Sequence, residues 1–222
     1  MFKFPSTPHL ISNSNIDIRN DKLLTQKQVD ELLSKEVFIE EKIDGANLGI
    51  SFSSKGDLII QNRGNLLTEP FTGQWIYLRH WLDKGINYLF DSLTDRYILF
   101  GEWCFACHSI YYNKLPDWFL GFDVYDKENK LFLPLKKRNE LFKESKIKPV
   151  PFLAKGVLSV DGLLSLITTS AYSLEQSEGI YIKQETEREV TKRAKIVRPD
   201  FIQNMNEHWS RKALVKNKLI HF

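Results

Sequence analysis

No apolar run in this 222-residue chain approaches the roughly 20 residues that a membrane span needs, so no membrane-spanning segment is expected. Cysteine is scarce. Cys104 and Cys107 are the only two and stand too close together for a disulfide framework, which predicts a fold without cross-links in a reducing compartment. Residues 1–15 lack a positively charged segment followed by an apolar stretch and a small-residue cleavage site, which argues against a secretory signal and for a cytoplasmic setting. The glycine-rich phosphate loop of the usual NTPases is missing too. So are repeats and low-complexity tracts, and the eight prolines are scattered rather than gathered in a linker, so one domain is expected.

What is present is ordinary for a soluble globular protein, with 42% hydrophobic and 27% charged residues. The length fits one large domain, or one domain with a short appendage, around a substantial core. The net charge of +3 hides an asymmetry, because residues 183–222 carry ten Lys/Arg against five Asp/Glu. That basic end is either a solvated charged surface or a face for a polyanion.

Periodicity gives a coarse outline. Thr25 reads as the N-cap of a helix over residues 26–35. Strands over 37–43, 47–53 and 58–62 follow, the last two forming a hairpin about the turn at 54–57. Helical spacing of apolar residues marks 75–89, 136–145 and 160–169, while 96–103, 118–125, 179–183 and 194–197 read as strands. Residues 127–130 form a polar turn from which Phe132 returns, and 200–214 are expected to close the chain as a helix. Hairpins with helices irregularly interspersed predict an α+β fold with mainly antiparallel sheets flanked by helices, not a doubly wound parallel sheet.

The sharpest local feature is Glu41-Lys42-Ile43-Asp44-Gly45-Ala46-Asn47, at a strand-to-turn junction. Alone it is a lysine beside a turn. Downstream, in order, stand Asn62-Arg63-Gly64, Phe100-Gly101-Glu102-Trp103, Phe122-Asp123-Val124-Tyr125, Glu178-Gly179-Ile180-Tyr181-Ile182-Lys183 and Arg193-Ala194-Lys195-Ile196-Val197. This series resembles the nucleotidyltransferase motifs I, Ia, III, IIIa, IV and V shared by ATP-dependent ligases and mRNA capping enzymes. Within that superfamily the chain is most similar to RNA ligases of the RNA ligase 2 type, which place an asparagine where Asn47 follows the lysine. Thr7-Pro8-His9-Leu10, His108-Ser109-Ile110 and Val197-Arg198-Pro199-Asp200-Phe201 have the same look.

The resemblance implies a nucleotidyltransferase (adenylylation) domain over residues 1–200 and a short basic helical extension over 201–222, in which Arg211, Lys212, Lys216 and Lys218 would help grip a polyanion. It implies ATP, with Mg2+ or Mn2+, as cofactors and RNA with 5′-phosphate and 3′-hydroxyl ends as partner. Lys42 would form a covalent lysyl-AMP, and Glu178 would hold the metal. Glu102 would accept from the ribose hydroxyls and Phe122 would stack on adenine, roles that suit a carboxylate and a phenyl face. Lys183, Arg193 and Lys195 would neutralise the triphosphate, with Arg193 standing where such ligases usually carry lysine. Glu41, Asn47 and Arg63 complete the expected nucleotide contacts.

A lysine attacks phosphorus only as the neutral amine, and an unperturbed pKa of about 10.4 leaves little of it at neutral pH. Burial and the cations Lys183 and Lys195 are expected to favour the neutral form, while Glu41 and Asp44 oppose it unless a divalent metal offsets their charge. Cys104-Phe105-Ala106-Cys107-His108 matches the spacing of c-type haem attachment. It directly continues the Phe-Gly-Glu-Trp strand, however, and the chain offers no export route or second ligand pair for zinc. Two other readings stay open: a DNA ligase or GTP-using capping enzyme with the same motifs, and a non-catalytic nucleic-acid-binding module, which need not keep Lys42, Glu102 and Glu178 together.

Overall fold

Two sheets meet along a seam, and the chain crosses from one to the other at residues 43–45. The computed structural model describes residues 1–11, 23–199, 201 and 214–220. In chain order the strands are β1 (Val37–Lys42), β2 (Ala46–Phe52), β3 (Leu58–Gln61), β4 (Tyr97–Trp103) and β5 (Phe119–Asp126). β6 (Leu131–Phe132), β7 (Lys148–Pro149), β8 (Phe152–Gly156), β9 (Gly179–Glu185) and β10 (Val190–Val197) follow. One sheet runs β10-β9-β1-β8 and the other β3-β2-β4-β5-β6, all antiparallel, with only β7 lying parallel beside β5. The expected α+β class is what forms.

Alternation along the strands decides what reaches the seam. Val37, Ile39, Ile180, Ile182, Ala194 and Ile196 point to one face and pack on Val29 and Leu32 of helix α1 (Gln26–Leu33) and Leu163 of α4 (Val160–Leu164). Burying each of the valine, leucine and isoleucine side chains stabilises the fold by about 1.5–3 kcal/mol. The alternate residues Glu40, Lys42, Tyr181, Lys183, Arg193 and Lys195 are thereby sent to the opposite face. The second sheet packs Leu48, Ile50, Leu99 and Phe119 on α2 (Leu78–Leu93), whose Leu78, Leu82, Leu89 and Leu93 form its apolar stripe, and on α3 (Leu135–Glu144).

The N-terminal segment closes the seam. Phe4 packs with Phe100, Phe132 and Val190, which come from both sheets. Leu10 N–H donates to Lys195 O at 2.8 Å, Lys195 N–H to Pro8 O at 3.0 Å, and Gln61 Nε2 to Phe2 O at 2.7 Å. No helix among the described residues is long and apolar enough to cross a membrane.

Several boundaries differ from expectation. α1 begins at Thr25 with a reciprocal capping box to Gln28, as read, but α2 starts at Leu78 because residues 73–75 tighten into a 3-10 turn. The helix from Val160 stops at Leu164: Ser177 N–H donates to Thr168 O, so the β-branched pair Thr168-Thr169 is drawn into extended pairing. β8 was not anticipated, its exposed Phe152 and Lys155 giving no apolar alternation. Phe201 is helical, but most of the helix expected over 200–214 lies outside the described residues, as do Arg211 and Lys212. Residues 214–220 are extended rather than helical, because their backbone pairs with residues 105–115.

A buried charge network sits behind the seam. Glu40 accepts from Arg138 Nη1 and Nη2 at 3.0 and 2.6 Å and from Lys183 Nζ at 2.9 Å, all within side chains no more than 2% exposed. Lys183 also donates to Phe122 O at 2.6 Å and meets Asp123 at 2.8 Å. Burial alone would raise the Glu40 pKa, but Arg138 and Lys183 outweigh it and hold the carboxyl at about 2. Glu40→Gln leaves two buried cations undercompensated and is expected to cost about 3–5 kcal/mol in urea unfolding near neutral pH. Because the folded pKa lies below the ordinary 4.5, this stabilisation is full above 4.5 and fades as pH falls through about 2. A neutral-pH loss below about 1 kcal/mol would show that the network does not hold the seam.

Candidate active site

Two cavities open on the seam and share a wall. A narrow slot of about 130 Å³ is bounded by Phe4, Pro5, Thr7, Phe122, Val150 and Tyr181. A cleft of about 620 Å³ is bounded by His9, Asp44, Gln74, His108 and Glu178. Lys42, Asn47, Arg63, Glu102 and Lys195 line both. Five of the ten residues picked from sequence therefore form the partition. The topology explains it: Asn47 on β2 pairs directly with Glu102 on β4, Lys42 on β1 with Gly179 on β9, and Lys195 on β10 with Tyr181. Gly179 permits this approach, since a Cβ there would lie 2.0 Å from Ile196 O.

Lys42 Nζ donates to Glu178 Oε2 at 2.7 Å. Burial pulls the Lys42 pKa down, but Glu178, Glu102 and Asp44 together outweigh it, and the amine sits above its ordinary value. The nearby acids thus oppose the neutral amine, as expected when no divalent ion offsets their charge, with Glu178 and Glu102 rather than Glu41 joining Asp44. The Lys183 ammonium is held between Glu40 and Asp123. Lys42 and Glu178 form a close ion pair. Burial pushes Glu178 up to about 7 and Glu102 up to about 8 against the pull of Lys42. Three carboxylates crowd one ammonium, and Glu102 Oε2 and Asn47 Oδ1 are buried without a donor. Such a partition is built to receive donors and positive charge.

Other predicted residues take different places. Phe122 is half-buried and lines the slot, with Phe4 edge-on at 5.2 Å. Glu41 lines the slot as well, but its carboxylate accepts from Ser170 Oγ at 2.5 Å and Ala171 N–H at 3.0 Å, so it is committed to that loop. Lys183 and Arg193 line neither cavity. Arg193 lies 3.3 Å from Asp123 and stacks over Phe132 at 3.8 Å, which makes both cations part of the structural network rather than of a phosphate site. Asp44 Oδ2 accepts from the N–H groups of Ser109 and Ile110 at 2.7 and 3.0 Å, and Asp44 N–H donates to Tyr112 Oη at 2.8 Å. Sequence reasoning missed Tyr181 and Thr7, whose hydroxyls bond each other at the slot wall. Alternation against Ile180 and Ile182 was the available signal for Tyr181.

The sequence model of the RNA ligase family matches residues 35–197, a stretch that holds all ten predicted site residues. The chain belongs to the RNA ligase family. A mutant Naegleria gruberi RNA ligase solved with ATP and Mn superposes with a TM-score of 0.61 at 20% identity, over 80% of this chain and 54% of that one. Another, also with ATP and Mn, gives 0.62 at 17% identity over 92% and 60%. An archaeal ATP-dependent RNA ligase gives 0.59 at 17% over 88% and 48%. At these identities the likeness is one of fold, and the chain spans about half to three-fifths of the length of those relatives. No curated protein matches the sequence.

Among the described residues of this RNA ligase family member, no group of three or more His, Cys, Asp or Glu side chains could hold a metal ion unaided. A hard divalent ion needs less when phosphates share it, commonly one or two carboxylates. Glu178, beside Lys42 in the cleft wall, fits that requirement as one such carboxylate.

The raised Glu102 pKa gives a test of the partition. A folded-state pKa near 8, above the ordinary 4.5, means that the folded protein keeps a proton the unfolded chain has released. Its contribution to stability is therefore full below 4.5 and is lost as pH rises through about 8. Glu102→Gln is expected to raise the melting temperature of ligand-free protein by about 2–4 °C at alkaline pH and to change little in mild acid. Equal melting of wild type and variant in alkaline solution would refute the burial of an unpartnered carboxylate.

Proposed function

We propose that the chain is an ATP-dependent RNA ligase in which Lys42 takes up AMP, acting with Mg2+ or Mn2+ on RNA with 5′-phosphate and 3′-hydroxyl ends. The observation that carries this is the shared wall: one lysine amine between an aromatic-lined slot and an open cleft, with unpartnered acceptors beside it. Lys42 sheds a proton to the solvent of the cleft, its neutral Nζ attacks the α-phosphorus of ATP, a P–N bond forms with loss of a second proton to solvent, and the bond to the β-phosphate oxygen breaks to release pyrophosphate. AMP then passes to a 5′-phosphate oxygen, and a 3′-hydroxyl displaces it to seal the strand.

Each residue of the wall has a chemical task. Phe122 and Tyr181 offer aromatic surface to the base in the slot. Glu102 Oε2 accepts a ribose hydroxyl, which supplies the donor it lacks. Lys195 and Arg63 offset phosphate charge on both sides of the wall. Asn47, whose amide also donates, faces the cleft where the 5′-phosphate would lie. Glu178 accepts from Lys42 Nζ at 2.7 Å and would hold the divalent ion, which would supply positive charge to offset the acids around the amine. Positioning and charge, rather than acid–base power, supply the catalysis. A cytoplasmic setting suits the two free thiols, Cys104 and Cys107.

Incubation with labelled ATP and magnesium is expected to add one AMP per chain by intact mass, with Lys42→Ala and Lys42→Arg unlabelled and GTP a poor donor. The labelled protein should then seal a 5′-phosphorylated nick bearing a 3′-hydroxyl RNA end. A label that survives in both Lys42 variants rules this lysine out, and efficient sealing of all-DNA nicks points to a DNA ligase.

Base stacking gives a second measurement. Phe122→Ala is expected to weaken ATP use by about 1–3 kcal/mol, with Phe122→Tyr mild. Wild-type ATP dependence in Phe122→Ala would assign that ring to the seam core alone.

A further inference from the structure

Residues 214–220 lie between the two arms of the 104–115 loop. Cys107 N–H donates to Val215 O at 2.8 Å and Asn217 N–H to Phe105 O at 3.0 Å on one side. On the other, Lys218 N–H donates to Tyr112 O at 2.9 Å, Leu115 N–H to Lys218 O at 3.0 Å and Ile220 N–H to Leu115 O at 2.8 Å. Lys216 Nζ rests 5.1–5.5 Å from the ring centroids of Tyr77, Phe105 and Trp118, so its ammonium packs against the body of the protein.

Asn217 is the plug. It is 1% exposed, its Nδ2 donates to Cys104 O at 2.8 Å and Ala106 O at 3.2 Å, and its Oδ1 accepts from Tyr112 N–H at 2.9 Å. One amide thus satisfies three buried backbone groups of one loop, which no apolar side chain of that size can do. The chain of bonds continues. Tyr112, fully buried, accepts Asp44 N–H at its hydroxyl, and the Ser109 and Ile110 amides of the same loop hold the Asp44 carboxylate. Asp44 is two residues past Lys42 in the crossing between the sheets.

We propose that residues 214–220 act as a strap that fixes the geometry of the nucleophile, with Asn217 the positioning residue that reaches Lys42 through Tyr112 and Asp44. This rests on the ligase reading of Lys42. The strap supports the lysine step itself, and its substitution is felt before any RNA is bound. None of its residues lines the slot, so the base-binding side is left alone.

The test is single-turnover lysyl-AMP formation in the full chain carrying Asn217→Leu, Tyr112→Phe, or both, with magnesium and a series of ATP concentrations. Asn217→Leu is expected to slow the step by about tenfold or more at saturating ATP, the scale of a small misplacement of a reacting group, with half-saturation little changed. Asn217→Asp, which keeps the acceptor for Tyr112 N–H, should fall between. The double variant should be no slower than the slower single one, because both act along one path. A wild-type rate in Asn217→Leu, a loss seen only in half-saturation, or fully additive losses would overturn the proposal. Hydrogen exchange supplies a reading independent of chemistry: the Ser109 and Ile110 amides should exchange faster in Asn217→Leu, or in Asn217→Asp if the leucine variant does not fold. Unchanged exchange there would also overturn it. Wild-type protein that takes no label from ATP would instead count against the ligase reading, and the exchange result would still decide the strap.

Discussion

β1 must bury Val37 and Ile39 in one sheet's core, and a strand that does so has to send Glu40 and Lys42 to the other side. That face is closed over by the second sheet, so two charged groups are forced into a seam where each needs partners. Glu40 finds Arg138 and Lys183 and becomes a structural fastening. Lys42, one step further along and at the strand end, finds carboxylates and two cavities. The division between scaffold and chemistry is a matter of two residues on one strand.

The same division runs through the cations. Lys183 and Lys195 lie on the same face of neighbouring strands, yet Lys183 is enclosed by Glu40 and Asp123 while Lys195 lines both the slot and the cleft. Lys183 also grips the carbonyl of Phe122 at 2.6 Å, so it steadies the backbone that presents the ring to the slot. A residue that lines neither cavity can thus be as sensitive to substitution as one that does, through stability.

Motif order and alternation made much of this legible before any coordinates. Lys42, Asn47, Arg63, Glu102, Phe122, Glu178 and Lys195 were identified from sequence, and all line a cavity at the seam. What stayed hidden depends on partners distant in the chain. Alternation assigns Lys183 and Arg193 a face but not the acidic neighbour that captures them. β8 is recognisable only by its pairing with β1, since its own residues are half exposed. Lys42's elevated pKa follows from three carboxylates brought together from residues 44, 102 and 178, a sum that local charge counting misses. The segment at 214–220 looks like a basic tail in sequence because its buried asparagine carries no apolar signal.

That segment also orders events during synthesis. A chain emerges at about 5–20 residues per second, and long-range pairings form only when both halves exist. Asn217 joins a loop made over 100 residues earlier, with |i−j| of 113, 111 and 105 for its three bonds. The 104–115 loop, which holds the Asp44 carboxylate, therefore remains without its inner brace until translation has passed residue 217.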